Sequence, residues 1–176
     1  MPVTRKDYAA MIDAVSEIDK ARLAAYIDGE GTIYINVATG LHGRHKTPQY
    51  RLSVVISNTD HRLMNWLKST FDGSVYYVKY EKSKHLGKKP IMRWQMNERM
   101  AETLLKACLP YMIMKKAQAE VGLSFMSLKL SREIRVRDGR GRIIQMPLTD
   151  AEIAKRHAMK LEIERLNKST GLEIAS

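Results

Sequence analysis

Residues 22–36 read RLAAYIDGEGTIYIN, and this stretch decides the fold. Its first half is an apolar run of helix-forming residues, whereas from Gly31 the pattern has period two. Ile33, Ile35 and Val37 fall on one side, and Thr32, Tyr34, Asn36 and Ala38 on the other. A helix therefore runs directly into a half-buried strand, and Asp28 and Glu30 sit at the helix C-terminus. That end carries partial negative charge, so each exposed carboxylate there is disfavoured by about 0.3–1 kcal/mol. Something positive has to compensate, and either a divalent cation held by carboxylate oxygens or a lysine meets the need. Ala21, Ala25 and Gly29 recur every four residues along the same helix, a stripe of small side chains through which another backbone can approach closely. If the partner is a symmetry copy, the two Glu30 side chains converge near the two-fold axis, and their repulsion strengthens the need for cations.

On the N-terminal side, TRKDYAAMIDAV has helical spacing after Thr4, and Ser16 with Asp19 forms a capping-box-like start for the helix of the quoted stretch. On the C-terminal side, TGLHGRHKTPQ is a long basic connection, after which Tyr50, Leu52, Val54 and Ile56 alternate with Gln49, Arg51, Ser53 and Val55. These two strands are expected to pair antiparallel. NTDHRLMNWLKSTF is a helix closed by Asp72 and Gly73; SVYYVKYEK and IMRWQMN are two more strands, joined by the Lys-rich SKHLGKKP. ERMAETLLKACL and MIMKKAQAEVGLSFMSLKL are helices punctuated by Pro110. The order over residues 16–128 is αββαββα. IRVRDGRGRIIQM follows as a basic hairpin, and Thr149 with Glu152 caps a charged terminal helix. The expected class is α+β, with a core over residues 1–130 and a hairpin-and-helix extension over residues 131–176.

The chain has 176 residues and 20.2 kDa, with 30 Lys plus Arg against 19 Asp plus Glu, a formal charge of +11 and a pI near 9.8. Such a balance favours a polyanionic partner, either nucleic acid or an acidic membrane surface. No apolar run approaches the roughly 20 residues of a membrane span, and the N-terminus lacks a signal-peptide core, so a soluble intracellular protein with no membrane partner is expected. The single Cys108 excludes an internal disulfide and a multi-cysteine zinc site, and its apolar neighbours make it a buried side chain rather than a nucleophile. The five histidines show no ligand-like pairing. The Met-rich YMIMKK reads as core packing.

Residues 23–31, LAAYIDGEG, resemble the nine-residue signature of the LAGLIDADG homing endonucleases. They agree at Leu23, Ala24, Ile27, Asp28 and Gly31, Glu30 replaces the second acid conservatively, and Ala25, Tyr26 and Gly29 differ. The αββαββα order extends the resemblance across the core. It implies that Glu30, with Gly29 beside it, is the metal ligand at the scissile phosphates, and that Asp28 helps hold the helix end. Asn58 falls where relatives carry a polar residue that orders the hydrolytic water, shorter here than the commoner Gln, and Arg62 where some carry a basic residue. Lys115 matches a basic residue that stabilises the scissile phosphate, with Lys116 its close competitor. Mg²⁺ is the implied ion because the ligands are oxygens. A single motif implies a homodimer, paired through Ala21, Ala25 and Gly29, that cuts both strands of a long, nearly palindromic DNA site and is encoded in an intron or another mobile element. Two other readings use the same fold without the metal acid: an RNA maturase bound to its intron RNA, and a non-cleaving DNA-binding protein.

A two-stranded ribbon fits the DNA major groove, so the strand sides opposite the apolar rows are the ones available to bases. The expected set is Tyr34, Asn36, Gln49, Arg51 and Ser53, with Arg51 suited to guanine and Asn36 and Gln49 to adenine. On the later strands VYYVKY accepts either phase, Tyr76 with Val78 or Tyr77 with Lys79, and Arg93 with Gln95 lies beyond them. Arg44 and Lys46 in the first connection, Lys82 in the second and Arg140 in the hairpin are expected to contact phosphates, which fixes register without reading sequence. The duller alternative for each is a solvated surface.

Overall fold

Caps and close approaches set the element boundaries. The computed structural model describes residues 5–38, 48–78, 90–131, 136–137, 143–144 and 148–168. The helices are α1 (Arg5–Asp13), α2 (Glu17–Glu30), α3 (His61–Phe71), α4 (Glu98–Cys108), α5 (Lys116–Ser131) and α6 (Asp150–Lys168), with a 3-10 turn at Leu109–Tyr111. The strands are β1 (Gly31–Ala38), β2 (Gln49–Asn58), β3 (Ser74–Tyr77), β4 (Met92–Asn97), β5 (Val136–Arg137) and β6 (Ile143–Ile144). Ser16 accepts from the Asp19 amide at the start of α2, and Asp60 accepts from the Arg62 amide at the start of α3. Thr149 and Glu152 satisfy each other's amides ahead of α6, the reciprocal arrangement of a capping box.

The passage from α2 to β1 has no linker, and Gly31 makes that possible. A Cβ placed there would lie 2.7 Å from the Ile27 backbone, so the chain can turn from helix into strand only where no side chain intervenes. At the end of α3 the turn is made instead by Asp72 and Gly73, with φ of 60° and 88°.

The four main strands form one antiparallel sheet in the order β1-β2-β4-β3. Period-two alternation sends Ile33, Ile35, Leu52, Val54, Ile56, Trp94 and Met96 to one face, where they meet Leu23, Ala24 and Ile27 of α2, Met64 and Leu67 of α3, Leu104 and Leu105 of α4, and Phe125 and Met126 of α5 in a single core. The two-stranded β5–β6 ladder follows α5. α6 packs on α5 and β1, buries Ile163 in the core, and gives β1 an edge partner: Asn167 Nδ2 donates to the Ile33 carbonyl at 2.9 Å. Among the described residues no helix is long and apolar enough to cross a membrane.

One expectation fails between α4 and α5. The Met-rich stretch does not pack as a unit: Met112 is buried, but Ile113 and Met114 are 86% and 71% exposed. The Asp28 carboxylate accepts the amides of Ile113 and Lys115, which holds this segment outside the helix and delays the start of α5 to Lys116.

Candidate active site and nucleic-acid interface

Of the two acids at the end of α2, Asp28 turns inward. It is 7% exposed and accepts the Ile113 amide at 2.7 Å and the Lys115 amide at 2.9 Å. Lys115 returns the contact, its Nζ donating to the Ile27 carbonyl at 2.9 Å and the Asp28 carbonyl at 2.5 Å. The positive charge that the helix end requires is thus supplied by a lysine, while the carboxylate of Asp28 serves amides of the incoming segment. Burial pushes the Lys115 ammonium below the ordinary lysine value, and the nearby Asp28 charge opposes that shift. Lys116 is exposed, at the first position of α5.

Glu30 turns outward and is exposed. Its Oε2 accepts from Asn58 Nδ2 at 2.5 Å, and the Asn58 Oδ1 in turn accepts the Asp60 amide at 2.9 Å. The carboxylate is therefore oriented by the end of β2. Arg62 does not join it: the guanidinium donates to Asp60, with Nη2 2.6 Å from Oδ2 and the arginine side chain 92% exposed. Those bonds hold the Asp60 carboxyl down to about 2. Among the described residues no cluster of three or more His, Cys, Asp or Glu gathers around one point. The exposed Glu30 carboxylate is an oxygen donor of the kind that suits a hard divalent ion.

The side of α2 that carries Ala25 and Gly29 is open. A Cβ at Gly29 would meet nothing within 4 Å, Ile18 on the same side is 67% exposed, and Ala21 is half-buried. Ile113 and Met114, tethered to Asp28, add apolar surface at this end of the helix. Sequence reading missed both, because a Met-rich run carries no local mark of exposure.

The outer face of the sheet carries most of the expected polar set. Tyr34, Asn36, Gln49 and Arg51 alternate out of the core, and in the register Asn36 is opposite Arg51 and Tyr34 opposite Ser53. The pairing of Ser74 with Gln95 and of Tyr76 with Arg93 resolves the phase of the third strand: Tyr76 shares the outer face with Arg93 and Gln95. Tyr77 falls on the helix side, its ring 6.2 Å from that of His61. Arg93 Nε donates to Ser57 Oγ at 3.4 Å. Ser53 needs a correction: it lies on the expected face but is 2% exposed, its hydroxyl donating to Asn97 Oδ1 at 2.6 Å, so it is covered by its cross-strand neighbour and cannot reach a base edge. Asn97, Glu98 and Lys129 were not foreseen, yet with Asn36, Gln49, Arg51, Ser53 and Gln95 they line a polar hollow of about 390 Å³ on this face. Asn97 continues the alternation of Arg93 and Gln95, a signal the sequence did hold; Lys129 comes from α5 and had none. Arg44, Lys46, Lys79, Lys82 and Arg140 lie outside the described residues. Cys108 is fully buried, and burial pushes its thiol up to about 12, which leaves it neutral and inert.

No family model and no curated protein matches the sequence. Solved structures do match. The homing endonuclease I-CvuI in complex with its target is similar over 88% of this chain and 85% of its own, at a TM-score of 0.64 and 17% identity. The archaeal intron-encoded homing endonuclease I-Vdi141I, complexed with DNA, matches over 87% and 86%, at a TM-score of 0.63 and 10% identity. The LAGLIDADG meganuclease I-AabMI, bound to uncleaved DNA, matches 83% of this chain but only 44% of its own length, at a TM-score of 0.57 and 18% identity. All three likenesses run over more than four-fifths of this chain at TM-scores of 0.57–0.64, and this chain has the LAGLIDADG homing endonuclease fold.

Proposed function

We propose that the protein is a site-specific DNA endonuclease that acts as a homodimer on both strands of a long, nearly palindromic site by metal-dependent phosphodiester hydrolysis. The observation that carries this reading is the exposed Glu30 carboxylate, oriented by Asn58 at the end of a helix whose neighbouring side is open at Ala25 and Gly29. Two copies paired along that side bring two such acids together, and the outer faces of the two sheets then extend to either side of them. The half-length match to I-AabMI fits two copies of this chain doing the work of one longer chain.

In this reading Glu30 and the Gly29 carbonyl would hold Mg²⁺, which when bound supplies Lewis-acid stabilisation of the phosphate oxygens. Asn58 fixes the direction of the carboxylate through its amide nitrogen, because its carbonyl oxygen is committed to Asp60. A lysine ammonium has three donors, and Lys115 spends two on the helix carbonyls, which leaves one N–H to stabilise the negative charge on the phosphate oxygens. Arg62, exposed in the first turn of α3, offers a phosphate contact when it leaves Asp60. Tyr34, Asn36, Arg51, Arg93 and Gln95 read base edges in the major groove.

The test is selection of cleaved sites from a randomised double-stranded library with Mg²⁺ present. One long, nearly symmetric site is expected, and Glu30→Gln should still bind it while cutting falls to background. Cutting by Glu30→Gln at the wild-type rate refutes the mechanism. Specific binding that never leads to nicking supports a binding protein instead, and binding of the chain's own intron RNA without any DNA cleavage supports a maturase.

A further inference from the structure

Asn97 ends β4 and occupies the N-cap position of α4, where asparagine is among the best capping residues. It makes no side-chain bond to the helix. Instead its Oδ1 accepts from Ser53 Oγ at 2.6 Å and from Gln95 Nε2 at 2.8 Å, and the Gln95 Oε1 accepts from Tyr76 Oη at 2.5 Å. Three strands thus hold one amide on the outer face of the sheet, and the helix forgoes its cap. The following residue departs from its local preference as well: Glu98 has φ of 55°, a left-handed conformation that side chains other than glycine rarely adopt, and Lys129 from α5 holds its carboxylate at 2.5 Å. Departures of this kind persist where the surroundings enforce them, and they gather at working positions.

We infer that Asn97 is a specificity-determining residue that reads one base pair in the major groove, with Ser53, Gln95 and Tyr76 as the residues that position it. The inference rests on the proposal that this face binds DNA, and it deepens that proposal. With both sites of its oxygen used, Asn97 presents the amide nitrogen of an exposed side chain to the hollow. An outward N–H₂ group donates, so the chemistry it selects is an acceptor on the base edge: guanine O6 and N7, adenine N7 or thymine O4. The buried Ser53 contributes to specificity through Asn97 rather than by contact.

The experiment compares bound sites selected from a randomised duplex library by the full-length wild type, Asn97→Ala and Asn97→Asp. Asp is as good an N-cap as Asn, so Asn97→Asp should keep or raise the melting temperature while replacing the donor with an acceptor. Expected is a loss of preference of about 10-fold at one position in each half of the site for Asn97→Ala, and a shift there toward pairs presenting cytosine N4 or adenine N6 for Asn97→Asp. Identical preferences in all three proteins overturn the inference while leaving DNA binding intact. A wild type that selects no site overturns the DNA-binding reading, and this inference falls with it. A variant that fails to melt cooperatively while the other still selects the wild-type base at every position assigns Asn97 to stability and also overturns it.

Discussion

Asp28→Asn leaves the shape of the side chain almost unchanged and removes the property that its position uses. The carboxylate, 7% exposed, accepts two amides, Ile113 at 2.7 Å and Lys115 at 2.9 Å. An amide side chain has one oxygen, so it keeps one of these bonds in a weaker neutral form and turns its own N–H₂ toward the other donor. Leaving one largely buried N–H unmet costs about 1–3 kcal/mol, and exchanging a charge-assisted bond for a neutral one about 1 kcal/mol more. The expected loss is therefore about 3 kcal/mol, which for a domain of this size lowers the melting temperature by roughly 6–12 °C. Urea unfolding should show the loss as a shifted midpoint at unchanged slope, and amide exchange at Ile113 and Lys115 should accelerate more than at Leu23 or Ile33 in the core. Glu30→Gln is the matched control: the same chemical change two residues on, at an exposed carboxylate, should alter stability by no more than about 0.5 kcal/mol. A loss below about 1 kcal/mol for Asp28→Asn, or equal losses for the two variants, refutes the division of the acids into a structural and a catalytic one.

The two glycines of the motif should also separate. Gly31→Ala forces a Cβ to within 2.7 Å of the Ile27 backbone and should destabilise by about 1–3 kcal/mol in thermal melts, whereas Gly29→Ala meets nothing within 4 Å in its own chain and should leave monomer stability equal or higher. If the open side of α2 is the dimer surface, Gly29→Ala should instead weaken self-association in sedimentation equilibrium. Asp60 has a folded pKa of about 2 against an ordinary 3.8, so its contribution to the α3 cap is complete above the ordinary value and disappears as pH falls through about 2. Carboxyl NMR titration should place its midpoint there, and Arg62→Ala should move it back toward 3.8.

What the sequence made legible was whatever depends on neighbours a few residues away. Period-two alternation put Tyr34, Asn36 and Arg51 on the outer face, and a capping-box-like pair and a capping box marked the starts of α2 and α6. What it hid depends on contacts distant along the chain. Ser53 belongs to the right face by parity, but Asn97, 44 residues later, covers it. The phase of β3 was open because all four of its residues are exposed and carry no burial pattern; only the pairing of Tyr76 with Arg93 settles it. Ile113 and Met114 have the composition of a core and lie outside it because Asp28, some 85 residues earlier, holds their backbone.

The different roles of the two acids at the end of α2 came from the family resemblance, and their opposite orientations have a geometric reason. Successive helix positions turn by about 100°, so Asp28 and Glu30 point about 200° apart, to nearly opposite sides of the axis. One side meets the segment before α5, where an acid finds two amides and a lysine; the other meets the end of β2, where it finds a single asparagine and solvent. Gly29 lies between them on the outer surface. Whatever packs there is therefore placed beside the exposed Glu30 and beside the Asp28–Lys115 clamp that holds the helix end, and under the proposed function the stability of that clamp governs how accurately Glu30 is presented. That coupling is why Asp28→Asn should lower cutting as well as stability, with the defect in cutting growing as temperature approaches the lowered melting point, while a Glu30→Gln protein stays folded and inactive throughout.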